Sequence, residues 1–142
     1  MSQENVEFAR EVVATFNRRD VPALVEMTTD DFKWVTWTGT VATTVYDGAE
    51  GLEGYFQDAD VWEVLNLDVQ EFRDLGDEVL VVGNFYAQGR GSGIEVRAPY
   101  YSAFFVSEGK LARVLSFRTE EEALEALKSA KNGPTSPQPH DL

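Results

Sequence analysis

The chain has no cysteine and a single histidine, His140, close to its end. Without cysteine there are no disulfides, no thiolate nucleophile and no thiolate metal site, and one histidine in a polar tail cannot build a histidine-based triad or a zinc centre. Basic residues are scarce as well: 12 against 25 acids over 142 residues, a net charge of −13. A field of that sign repels phosphate backbones and anionic lipid, so no nucleic-acid partner is expected and the charge is read as serving solubility. No apolar run approaches the roughly 20 residues that cross a bilayer, and the N-terminus lacks the basic-then-apolar order of a signal peptide. The expectation is a cytoplasmic protein with no membrane partner, no metal and no cofactor.

What is present is ordinary globular material, 43% hydrophobic and 12% aromatic, and at this length one core is the economical arrangement. Val6, Ala9, Val13 and Phe16 recur at helical spacing, widened by Phe8 and Val12, which predicts a helix over 3–17. Asp20 is placed to cap a shorter helix with Pro22 in its first turn. Phe32 to Thr38, rich in Trp and Thr, reads as a strand ended by Gly39. Tyr46-Asp47-Gly48 reads as a turn before a third helix over 49–58, with Leu52, Tyr55 and Phe56 on one side.

Four strands follow, about 64–75, 78–88, 94–106 and 110–118, punctuated by Gly76-Asp77, by the GRGSG stretch at 89–93 and by Ser107-Glu108-Gly109. The glycine-rich stretch joins two strands rather than opening a helix, so it is a hairpin and not a phosphate loop. Thr119 with Glu122 forms a capping box for a last helix. The boundaries drawn are a domain over 1–128 and a Pro-rich polar tail over 129–142. Asp58, Asp60 and Glu63 make an acidic run that is read as solvated loop.

Alternation assigns faces. On the third long strand Ile94, Val96, Ala98, Tyr100, Ser102 and Phe104 belong to the even, inward set; on the second, Val79, Val81, Gly83, Phe85 and Ala87 belong to the odd one. The last strand is ambiguous. Periodicity favours Leu111, Leu115 and Phe117 as core, whereas a hairpin closing Val106 onto Lys110 sets Ser102 opposite Val114, Tyr100 opposite Ser116 and the even positions inside.

Four tracts together carry a family resemblance: NVEFAREVVATFNRRD over 5–20, Tyr46-x-Gly48-x-x-Gly51, the hairpin from Val106 to Leu115, and TEEEALEAL from Thr119 to Leu127. Over about residues 3–128 the chain resembles the SnoaL-like branch of the nuclear transport factor 2-like superfamily. The resemblance implies an α+β cone: a curved antiparallel sheet, three helices from the N-terminal half packed on its concave face, and a short C-terminal helix. It also implies one internal ligand pocket, a homodimer, and the even set of the last strand inside. Val35, Trp37 and Tyr101 give the outer face apolar surface for such a dimer.

Carried over residue by residue, the superfamily's catalytic groups are missing. Where ketosteroid isomerase has a tyrosine, a proton-abstracting aspartate and an oxyanion-binding acid, this chain places Val12, Thr36 and Ser102. Where limonene epoxide hydrolase has its acids and arginine, it places Ser116 and residues near Gly83 and Phe85. The acid or histidine of SnoaL-type cyclases falls near Ser102. Hydroxyls cannot take a carbon-bound proton at neutral pH. The expected ligand site is therefore Trp34, Thr36, Tyr100, Ser102 and Ser116, with Phe16, Phe56 and Phe85 as walls and Arg118 near one end. The function expected is a pocket for a small, mostly apolar or aromatic metabolite. Two alternatives stay open: an isomerase, cyclase or hydratase using Tyr100, Arg118 or a loop acid such as Asp47 or Glu53, and a non-catalytic dimeric subunit.

Overall fold

A computed structural model describes residues 2–38, 42–117 and 119–132; the readings made above for Gly39, Arg118, His140 and residues 133–142 lie outside the described residues. Helix α1 (Ser2–Asn17) buries the stripe its spacing promised, with Val6, Ala9, Val12, Val13 and Phe16 all below a tenth exposed. Its end is fixed by Asn17, whose side-chain amide donates to the Leu67 carbonyl at 3.0 Å and accepts from the Leu67 N–H at 2.9 Å. Helix α2 (Val21–Glu26) begins at Asp20, whose carboxylate accepts from the Ala23 N–H at 3.3 Å, with Pro22 in the first turn where its missing donor is harmless.

Strand β1 (Thr28–Thr38) starts earlier than its Trp/Thr-rich core suggests, and β2 (Ala42–Asp47) pairs with it antiparallel, extending a strand through Tyr46 and Asp47, which read from the sequence as a turn. Helix α3 (Gly48–Asp58) then folds back over Tyr46. A Cβ on Gly51 would stand 2.6 Å from the Tyr46 carbonyl carbon, so the second glycine of the Tyr46-x-Gly48-x-x-Gly51 segment is what lets helix and strand touch.

The meander follows as β3 (Trp62–Asp74), β4 (Glu78–Gly89), β5 (Glu95–Ser107) and β6 (Lys110–Phe117), and α4 (Glu120–Asn132) closes the chain with the Thr119 hydroxyl accepting from the Glu122 N–H at 3.1 Å. The sheet order is β2-β1-β6-β5-β4-β3, antiparallel throughout except for β1 beside β6, which run parallel. Helices α1 to α3 fill the concave face against Phe32, Trp34, Leu65, Leu67, Val79 and Val81. Helix α4 lies on the opposite face, where Ala123 and Leu127 meet Leu80, Ala103 and Tyr101. Covered on both sides, β4 carries Val79, Leu80 and Val81 at zero exposure in consecutive positions, as a strand between two layers should.

The strand register shifts at four places, and two of these bulges bear on the core. In β3 the register against β4 shifts between Val69 and Glu71, opposite Gly83. In β6 it shifts because Phe105 faces Arg113 while Val106 faces Leu111, leaving Ala112 unpaired. The second bulge explains the mixed periodicity of the last strand: Leu111 and Val114, three apart, both face the concave core, while Phe117 faces α4. It also corrects the predicted register. The hairpin closes Ser107 onto Lys110, and Ser102 sits opposite Ser116 rather than Val114, although the even positions Val114 and Ser116 keep the inward side. The outer-face residues behave less openly than the sequence suggests: Val35 is buried and Tyr101 is packed against the α4 cluster, while the Trp37 side chain lies outside the described residues. Among the described residues no helix is long and apolar enough to cross a membrane.

A Cβ on Gly83 would stand 2.2 Å from the Asp68 carbonyl oxygen and 2.7 Å from the Val69 Cα, both backbone atoms that cannot step aside, whereas one on Gly54 in α3 meets nothing within 4 Å. Gly83→Ala is expected to lower the unfolding free energy by about 2–3 kcal/mol through forced displacement in a packed sheet. Gly54→Ala is expected to raise it by about 0.5–1 kcal/mol through helix propensity. Urea titrations of the two variants against the parent chain check both signs.

Candidate functional site

The concave face encloses an apolar cavity of about 40 Å³. Helix α1 contributes Val12, Val13 and Phe16 because these lie on its inward stripe; β1 contributes Phe32 and Trp34, β5 contributes Tyr100 and Phe104, and β6 contributes Leu111 and Val114. Leu52 closes it from α3. Around Trp34 the aromatic rings form one connected group. Its centroid is 4.5 Å from Tyr55, 5.9 Å from Tyr46 and 5.9 Å from Phe16, the last edge-on, and Phe56 stands 5.3 Å from Phe16. Such pairs contribute about 0.5–1.5 kcal/mol each beyond area burial, so the cage holds α3 on the sheet as well as lining a site.

The polar atoms in and around this wall are few. Ser102 is fully buried and donates to the Leu115 carbonyl at 3.0 Å. The Tyr100 hydroxyl lies within hydrogen-bond reach of the Ser102 and Ser116 hydroxyls, which the register brings face to face. Burial pushes the Tyr100 phenol above its ordinary value, with the two serines pulling the other way. Burial likewise pushes Tyr55 up, with Tyr100 and Tyr46 adding to the shift and Arg19 opposing it. Both phenols are therefore protonated at neutral pH and act as donors. The Trp34 indole nitrogen is buried and has no hydrogen-bond partner among the described residues.

The predicted site residues divide. Phe16, Trp34 and Tyr100 line the cavity together; Ser102 and Ser116 sit beside Tyr100 as its hydroxyl neighbours. Phe56 touches Phe16 and also faces an outer groove of about 840 Å³ between α2 and α3. Phe85 packs against the same core, paired with Leu67 and Ala98 across the sheet, but does not line the cavity. Thr36 is displaced from it too: half-buried near the sheet edge, it donates to the Thr44 carbonyl at 3.5 Å. Arg118 lies outside the described residues.

Tyr55 was not among the predicted site residues, although its place on the apolar side of α3 was readable; the strand that sets Tyr46 beneath it was not. The loop acids stay outside. Asp47 is exposed and paired with Lys33, and Glu53 is exposed on the rim of the outer groove. Of the acidic run, Asp60 lies 3.6 Å from Arg90, and among the described residues no three His, Asp or Glu side chains converge as a metal site would need. No carboxylate is among the described residues that line the cavity.

Raised phenol pKa values have a stability consequence. The folded state favours neutral Tyr55 and Tyr100, so their contribution is complete below the ordinary value of about 10 and is lost as pH rises through and beyond it. In an alkaline absorbance titration these two phenols are expected to ionise after the exposed ones, together with unfolding. Tyr55→Phe and Tyr100→Phe should each remove part of that late amplitude.

Residues 9–114 match the family model described as a SnoaL-like domain. Solved structures share the fold. TerC co-crystallised with polyporic acid is 21% identical at a TM-score of 0.70, with 89% of this chain and 99% of that one covered. A nuclear transport factor 2-like protein of unknown function from Burkholderia pseudomallei K96243 is 17% identical at 0.72, covering 86% and 95%. A candidate SnoaL-like polyketide cyclase from Shewanella denitrificans OS-217 is 15% identical at 0.70, covering 91% and 99%. At these identities the likeness is one of fold. No curated protein matches the chain.

Proposed function

The chain belongs to the SnoaL-like domain family, and from that premise we propose that it binds a small, mostly apolar or aromatic metabolite between the helices and the concave sheet. The composition of the cavity wall carries this reading: aromatic and aliphatic residues from seven elements, among which Trp34 and Tyr100, beside Thr28, carry the hydrogen-bonding groups. Apolar walls with a few placed polar groups are the ordinary makeup of a small-molecule site. General-base chemistry on a bound carbon acid needs a group able to take the proton, and the wall offers two neutral donors in its place. Binding rather than proton transfer is what such a surface does well.

In the present conformation the cavity has room for a water or two, far below the roughly 300 Å³ of a typical ligand pocket. The route to a larger one runs through α3. Phe56 separates the cavity's aromatic group from the outer groove, and α3 carries Gly51 and Gly54, each about 1 kcal/mol less favourable than alanine in a helix. Outward movement of Tyr55 and Phe56 joins groove and cavity into one volume. Homodimerisation belongs to the same proposal: Ile94, just before β5, and Val96, within it, are exposed and not inward as alternation assigned them, because the concave core does not reach this end of the strand, and they are apolar surface available to a second copy.

The test is a screen of aromatic and terpenoid compounds by tryptophan emission and thermal shift, together with native mass spectrometry of the purified protein. Quenching and stabilisation by members of the panel are expected, and Val12→Phe, which fills the cavity, should weaken them at least about tenfold, since overpacking of about 1–3 kcal/mol leaves the fold in place. A panel that neither quenches nor stabilises, with no retained molecule, would reduce the cavity to a packing gap and refute the reading. Sedimentation velocity checks the dimer at about twice the 15.9 kDa chain mass.

A further inference from the structure

We infer that Trp34 is a specificity-determining hydrogen-bond donor: its indole N–H, with the Tyr100 hydroxyl, selects a neutral ligand carrying an acceptor oxygen over a hydrocarbon or a carboxylate of the same shape. The inference rests on the pocket reading above and adds to it the chemistry that the pocket discriminates.

Its basis is an asymmetry among the buried polar groups. Ser102 has the Leu115 carbonyl, Asn17 has both backbone groups of Leu67, and Tyr100 has the two serine hydroxyls. The Trp34 indole nitrogen, on a residue only 8% exposed and in the cavity wall, has no partner among the described residues. Buried donors without acceptors are rare in folded proteins because water is given up and nothing replaces it. The rings of Phe16, Tyr46 and Tyr55 nearby are weak acceptors at best.

Packing does not require the indole nitrogen. A phenyl ring at this position makes the same kind of aromatic contacts with no donor to satisfy, so the choice of tryptophan is explained by an acceptor that arrives from outside. Tyr100 supplies the second donor, since the Ser102 proton is already committed to Leu115 while the tyrosine can turn its own between serine and ligand. No cation is among the described residues lining the cavity, so a carboxylate entering it would lose hydration without gaining a counter-charge. A ketone, ester or ether oxygen meets the two donors at far smaller desolvation cost.

The test uses two bicyclic probes of nearly equal shape, indane and 1-indanone, titrated calorimetrically into the full chain and into Trp34→Phe. Hydrophobic transfer alone favours indane, the more apolar compound. The expected result is the reverse order in the parent chain, with the indanone-to-indane affinity ratio falling about tenfold in Trp34→Phe. A preference for indane that the substitution leaves unchanged overturns the inference while the pocket reading survives; that includes the case in which a permanently bound water satisfies the indole. Binding of neither probe overturns both. If Trp34→Phe fails to fold, the indole 1H–15N resonance of Trp34 in the parent chain decides: a downfield shift with 1-indanone and none with indane supports the donor role, and equal shifts overturn it.

Discussion

The structure depends on one close approach of backbone to backbone, where Gly83 in β4 lies against Asp68 and Val69 in β3 with no room for a side chain. The bulge at Val69 and Glu71 sits across from it, and together they bend β3 and β4. A flat sheet offers a helix only a strip of contact. A bent one lets α1 reach from Leu65 and Leu67 across to Val79 and Val81, and the amide of Asn17 then locks the end of that helix onto the backbone of β3. Once α1 is fixed, α2 and α3 have a surface to lie on, and the cavity is the space that three helices cannot quite fill.

The cavity wall draws on helices that differ in how they are held. Helix α1 has a long apolar stripe and a side-chain lock, whereas α3 combines Gly51 and Gly54 in its interior with ring contacts of Tyr55 to Trp34 and Tyr46. Tertiary packing, not propensity, keeps α3 helical. One side of the cavity is therefore built from the weaker element, and the side that positions Tyr100 and Ser102 is built into the sheet.

Much of this was legible in the sequence. Helical periodicity located α1 and α3, the capping residues Asp20 and Thr119 located the starts of α2 and α4, and glycine punctuation located the meander. Strand alternation put Tyr100 and Ser102 on the inward side, and the family resemblance added Trp34 and Ser116. What escaped shares a physical origin, because it depends on pairing between distant segments. Strand β2 was hidden since Tyr46-Asp47-Gly48 has turn composition and becomes strand only beside β1. The register of β6 was misjudged by two positions, one because the hairpin closes at Ser107 and not Val106, the other because the bulge at Ala112 leaves no compositional mark. Thr36 was placed inside by the family resemblance, yet it sits toward the sheet edge and bonds to Thr44 in place of the cavity.

The parallel pairing of β1 with β6 has a kinetic side. It joins residues 28–35 to 111–115, about eighty positions apart, with β2, β3, β4 and β5 all lying in between along the chain. Closing so long a loop costs entropy before any contact rewards it, and a chain emerging from the ribosome cannot begin to close it until β6 has left the tunnel. Helices α1 to α3 and the β1–β2 hairpin can form early, but they have only a fragment of the concave surface to rest on. The cavity wall is thus complete only once β6 has been made and paired, late in synthesis with only α4 still to follow.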